Sequence, residues 1–133
     1  MSSLLSSSCF YHCSIAGIEV SENILISAEE KGINYCELLE QSLQKNKRAV
    51  IQLSLLNFDG AIGYDHGTLL VELIRKIGEN EYLSLIRNLN DTEKKTIESY
   101  LQAGLEYHYD SSLKEKSIKS VFPELNAFLQ NRN

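Results

Sequence analysis

Apolar residues recur along this chain at helical spacing, in short runs separated by Asn, Ser and Gly. Residues three and four apart share one side of a helix, so each run reads as an amphipathic helix facing a common core. Ser21 precedes a run from Glu22 to Lys31, with Ile24, Leu25 and Ala28 on one side. Gly32 is placed to stop it. Asn34, with Glu37 three residues on, opens a helix from Tyr35 to about Lys45 whose inner stripe holds Tyr35, Leu38, Leu39 and Leu43. Asn46 opens a third run in which Ala49, Val50, Ile51, Leu53, Leu55 and Leu56 leave almost no polar side, as in a helix central to the fold.

The segment Phe58-Asp59-Gly60 interrupts the pattern. A helix is expected from about Tyr64 to Ile77, with Leu69, Leu70, Leu73, Ile74 and Ile77 inward and Gly78 at its end. Asn80 is expected to cap a short helix carrying Tyr82, Leu83, Ile86 and Leu89. Asn90 and Glu93 form a box-like cap for a helix from Asp91 to about Tyr109, and Pro123 suits the first turn of a last helix holding Leu125, Phe128 and Leu129. Residues 1–20 are Ser-rich and read as a flexible leader, with 21–133 as one domain. The expected fold is all-α, a compact stack of about six to seven short antiparallel helices. Their starts suggest a period of about 29 residues, which fits a HEAT-like repeat stack, with an irregular bundle as the alternative.

The chain has 133 residues, enough for one domain with its own core. Its hydrophobic share of 43% and charged share of 23% are ordinary for a globular protein. A net charge of −5 argues against nucleic acid and anionic lipid as partners, since both need a basic face, and suits a basic protein surface. No apolar stretch is long enough to span a membrane. The three cysteines, Cys9, Cys13 and Cys36, are an odd number, and the simplest expectation is free thiols in a reducing cytoplasm. Leu4, Leu5 and the serines before Cys9 faintly echo a lipoprotein signal, which is the alternative for location, but no Lys or Arg precedes them.

Candidate chemistry falls in three places. The segment Asp59-Gly-Ala-Ile-Gly-Tyr64-Asp65-His66-Gly67 packs glycines, carboxylates, a phenol and an imidazole together. It reads as an inter-helix turn, as a partner-contact loop, or as an acid–base or metal site built on Asp59, Asp65 and His66. It matches no phosphate-binding fingerprint. Glu98, Glu106, Tyr107, Tyr109 and Asp110 make one helix end acidic and aromatic, a composition that favours protein contacts. Cys9, His12 and Cys13 offer three zinc ligands where a closed site needs four. No nucleophile–base arrangement is legible and no cofactor is expected.

The stretch LLNFDGAIGYDHGTLLVELIRKIGENEYLSLI, in which a DG turn leads into a long helix and then a short one, resembles the small α-helical immunity proteins of bacterial toxin systems. The resemblance centres on residues 61–89 and implies a non-catalytic protein that binds a cognate toxin and blocks it. The expectation is therefore a protein-binding inhibitor using Asp59, Tyr64, Asp65, His66, Glu98, Glu106, Tyr107, Tyr109 and Asp110. The alternatives are a helical-repeat adaptor in a larger assembly and a small metal-dependent hydrolase.

Overall fold

The computed structural model describes residues 12–132, and the expectations for residues 1–11, including Cys9 as a zinc ligand and the lipoprotein-like segment, lie outside them. The described chain is mostly helical: a two-stranded hairpin, β1 (Cys13–Ile15) and β2 (Ile18–Val20), precedes α1 (Glu22–Glu30), α2 (Tyr35–Leu43), α3 (Lys47–Ser54), α4 (Gly60–Ile77), α5 (Glu79–Ile86), α6 (Asp91–Glu106), α7 (Ile118–Val121) and α8 (Pro123–Gln130). Four of the helices open on the caps expected of them. The side chains of Ser21, Asn34, Asn46 and Asn90 accept the backbone N–H of Ile24, Glu37, Ala49 and Glu93 at 3.2, 3.0, 3.0 and 2.9 Å. Glu93 returns the bond to the Asn90 N–H at 2.9 Å, which completes a capping box.

Three elements depart from the sequence reading. Residues 13–20 are a hairpin rather than part of an irregular leader, in register Cys13↔Val20, Ser14↔Glu19, Ile15↔Ile18. Ala16 and Gly17 form its turn with φ of 53° and 81°, the doubly positive geometry that matches strand twist. Alternation puts Cys13, Ile18 and Val20 into the core. Second, Gly60 to Gly67 is the first half of α4 and not a turn. Third, α5 starts at Glu79 behind Gly78, so Asn80 lies inside it and caps nothing.

Gly67 in α4 is explained by packing. A methyl on Gly67 would overlap the Tyr100 carbonyl oxygen, and one on Gly104 would overlap the Gly67 carbonyl. The backbones of α4 and α6 thus touch where both residues lack a side chain. The meeting pairs Phe58–Tyr100, Gly67–Gly104 and Glu72–His108 advance in the same direction along the chain. The two helices therefore run side by side in the same sense, with α5 as the return between them. The tightest pair is not a sequence-adjacent hairpin, so the packing does not follow the repeat that the helix starts suggested.

The core is one cluster. Ile24, Leu39, Val50, Leu53, Leu70, Val71, Leu73, Ile74, Ile86, Ile97, Leu101 and Leu125 are sealed from water within it. Its buried phenols are all partnered, as buried polar groups must be. Tyr82 shares a 2.8 Å bond with Ser54 Oγ. Tyr100 donates to the Leu56 carbonyl and accepts the Phe58 N–H at 3.0 Å, which pins the segment between α3 and α4.

The cysteines also differ from expectation. Cys13 in β1 and Cys36 in α2 form a disulfide that bolts the hairpin to the helices. They are not free thiols, and Cys13 is unavailable as a zinc ligand, so the three-ligand zinc arrangement is lost.

Candidate functional site

His66 and Asp65, neighbours in sequence, go to opposite environments because successive helix residues point about 100° apart. His66 is fully buried. Its ring meets those of Tyr35, Phe58 and Tyr100 edge-on or steeply tilted, with centroids at 5.7, 5.2 and 4.6 Å. Nδ1 lies 2.8 Å from the Tyr35 hydroxyl. Nε2 has no hydrogen-bond partner. Burial drives the His66 pKa down to about 4, and the Leu53 carbonyl, short of hydrogen-bond geometry, offsets only part of this. Burial likewise pushes the Tyr35 phenol well up, helped by Tyr100. His66 is thus a core residue, and the expectation that it contacts a partner or joins Asp59 and Asp65 around a metal does not survive. Asp59 sits exposed at the N-cap of α4 and makes no capping bond. Among the described residues no group of three His, Cys, Asp or Glu side chains converges on a metal position.

Asp65 faces a groove of about 730 Å³ between the hairpin, α1, α4 and the end of α6. Ile18, Ile24 and Leu69 form its apolar floor. Glu19, Asp65 and Glu72 supply carboxylates, Tyr107 and Tyr109 form one wall, and none of the lining residues is Lys or Arg. Tyr64 stands beside this wall with its ring 4.8 Å from that of Tyr107. Tyr64, Tyr107 and Tyr109 are 46%, 57% and 74% exposed, in a chain whose other phenols in the described region are mostly core.

The wall is stiff. His108 follows α6, is buried, and accepts the Asp110 N–H on Nδ1 at 2.9 Å. That ring nitrogen therefore carries no proton, and Nε2–H donates to Glu72 Oε2 at 2.9 Å. Arg75 donates to the same carboxylate oxygen at 3.0 Å and lies 3.8 Å from Asp110. Burial alone would raise the Glu72 carboxyl, but the bonds from Arg75 and His108 outweigh it and hold it below the usual carboxylate range. Asp110 accepts the Ser112 N–H and hydroxyl at 2.9 and 2.7 Å, which depresses its pKa and closes the turn. Tyr109 stacks on His108 with centroids 4.4 Å apart. Its phenol is raised by burial and then by the Glu72 charge, and that of Tyr107 by the Glu106 carboxylate beside it.

The structure thus brings Tyr64, Asp65, Tyr107, Tyr109 and Asp110 to one side of the molecule. Glu106 is next to Tyr107 but turns toward a smaller groove of about 340 Å³ that Glu98 and Lys116 also line. Glu98 belongs to the chain terminus: it pairs with Arg132 and accepts from Gln130, and these bonds hold it below the usual carboxylate range against the upward push of burial. Glu19 and Glu72 were not among the sequence candidates. Glu19 became visible only with the hairpin register, and Glu72 lies outside the inward stripe expected of its helix. Compared with known proteins, the chain matches no family model, no curated protein and no solved structure.

Proposed function

We propose that this protein is a non-catalytic binding module, an immunity-type inhibitor that docks a cognate toxin with a basic surface. The observation that carries this reading is the trio of exposed tyrosines standing on braced backbone beside an acidic groove with no Lys or Arg in its lining. Tyrosine gives a large contact area and a hydroxyl for little lost side-chain entropy, and a preformed wall lowers the ordering cost further. Net acidity would speed association with a basic partner. No helix in the described region is long and apolar enough to cross a membrane. The disulfide supports an oxidising compartment rather than the cytoplasm. An adaptor would ask for a broad apolar face. The large apolar side chains exposed among the described residues are Ile26 and those three tyrosines, which favours the narrower docking site.

The test has two steps. Tagged protein, kept oxidised, is used to capture a partner, and the partner is then purified and assayed for toxic activity with and without stoichiometric inhibitor. The expected result is full neutralisation by the wild type and at least tenfold weaker binding by a Tyr107→Ala/Tyr109→Ala variant. A captured partner whose activity is unaffected, or one bound equally well by that variant, refutes the reading.

A further inference from the structure

We infer that the groove is an arginine-accepting site, built to take one arginine side chain from the protein partner. This rests on the binding-module reading and names the chemistry of its occupant. The floor formed by Ile18 and Leu69 is apolar and buried, which suits the aliphatic stem of a long side chain. Glu19 of the hairpin and Asp65 of α4 line the groove as well. Both are exposed, and neither carboxylate makes a hydrogen bond or ion pair with the described residues. Glu72 is already engaged by Arg75 and His108, so it fixes the wall rather than waiting for a ligand. The tyrosine wall presents ring surface beside the two free carboxylates.

An apolar trough, free carboxylates on two elements and an aromatic wall call for a cation that is planar and only weakly hydrated. Guanidinium meets all three: it can fork onto carboxylate oxygens and stack on a phenol ring at once. A lysine ammonium can satisfy the charge but neither the fork nor the stacking. Charge complementarity therefore selects a basic segment, and the shape of the site selects arginine within it.

The probe is the peptide acetyl-Gly-Arg-Gly-amide, titrated into the oxidised full chain and followed by amide chemical shifts, with lysine and citrulline analogues alongside. Saturable shifts are expected at Gly17, Thr68, Leu69 and residues 107–109, with millimolar affinity. The lysine analogue should bind at least fivefold more weakly and the citrulline analogue not at all. Glu19→Gln/Asp65→Asn, both surface changes, should weaken the arginine peptide at least fivefold with an unchanged far-ultraviolet spectrum. Tyr107→Leu should do the same through loss of stacking. Shifts scattered over all acidic surfaces, equal binding of the lysine peptide, or undiminished binding by the double variant would overturn the inference. If the peptide fails while Tyr107→Ala/Tyr109→Ala still weakens the toxin partner, the arginine assignment alone falls and the binding-module reading stands.

Discussion

Acidification below pH 6.5 should destabilise this protein through His66. In the unfolded chain a histidine takes its proton near pH 6.5, whereas in the folded protein burial lowers the pKa to about 4. Between those values the unfolded state holds a proton that the native state refuses, so stability rises with pH across that window. The stability is fully present above pH 6.5 and is lost as the pH falls toward 4. A gap of about 2.5 pKa units at 1.36 kcal/mol each gives about 3 kcal/mol. For a chain of 133 residues that corresponds to a fall in midpoint temperature of about 10 °C.

The physical origin is the aromatic enclosure of the ring. An imidazolium there would have two N–H groups to satisfy, with the Tyr35 hydroxyl at Nδ1 and no partner at Nε2. The measurement is urea unfolding at half-unit steps from pH 7.5 to 4, comparing wild type with Tyr35→Phe/His66→Phe. Removing both hydrogen-bonding partners avoids stranding either one, so the double variant should be near wild type in stability at pH 7. Its curve should be flatter by about 3 kcal/mol between pH 6.5 and 4. Glu72, Glu98 and Asp110, held below their ordinary values, lose their stabilisation as the pH falls through and below the ordinary carboxylate range, but they are common to both proteins and cancel in the difference. Parallel curves would refute the assignment of the buried ring as the acid-sensitive group.

Two further perturbations test the framework under the site. Gly104→Ala would drive a methyl into the Gly67 carbonyl, where backbone on both sides prevents easy relief. The expected loss is about 2–3 kcal/mol in denaturant unfolding, and a loss below about 0.5 kcal/mol would mean that α4 and α6 are farther apart than described. Reducing Cys13–Cys36, or replacing both with Ala, reopens a loop of 23 residues; loop-closure entropy gives about 3 kcal/mol, read as a lower urea midpoint for the reduced protein. No change on reduction would show that the hairpin is held by packing alone.

Helix starts were legible because capping is local: a side chain at Ser21, Asn34, Asn46 or Asn90 needs only the backbone three residues ahead. What sequence reasoning missed depends on partners far along the chain. Gly60, Gly63 and Gly67 looked like a loop because glycine is a poor helix former, and the reason for Gly67 is Gly104 on another helix. The hairpin escaped notice because its strands are three residues each and its turn is Ala-Gly rather than Asn-Gly. The disulfide joins residues that meet only once the hairpin has docked. Tyr64, Tyr107, Tyr109 and Asp65 were singled out by composition, whereas their separation from His66 and Glu98 required knowing which way each helix turns.

The same close approach that made the glycines misleading is what assembles the candidate site. Glycine against glycine lets α4 and α6 meet at their backbones, and the shared direction of the two helices then carries Tyr64 on one to Tyr107 on the other. A larger residue at either position would separate the helices and pull Glu72 away from His108, the contact that braces the tyrosine wall. The opposite wall has a second tether, because Glu19 is carried by a hairpin tied through Cys13 to α2. The groove is thus held from two sides by unrelated devices, one of packing and one covalent. Gly104→Ala and disulfide reduction should consequently weaken arginine-peptide binding by separate routes, the first through the tyrosines and the second through Glu19.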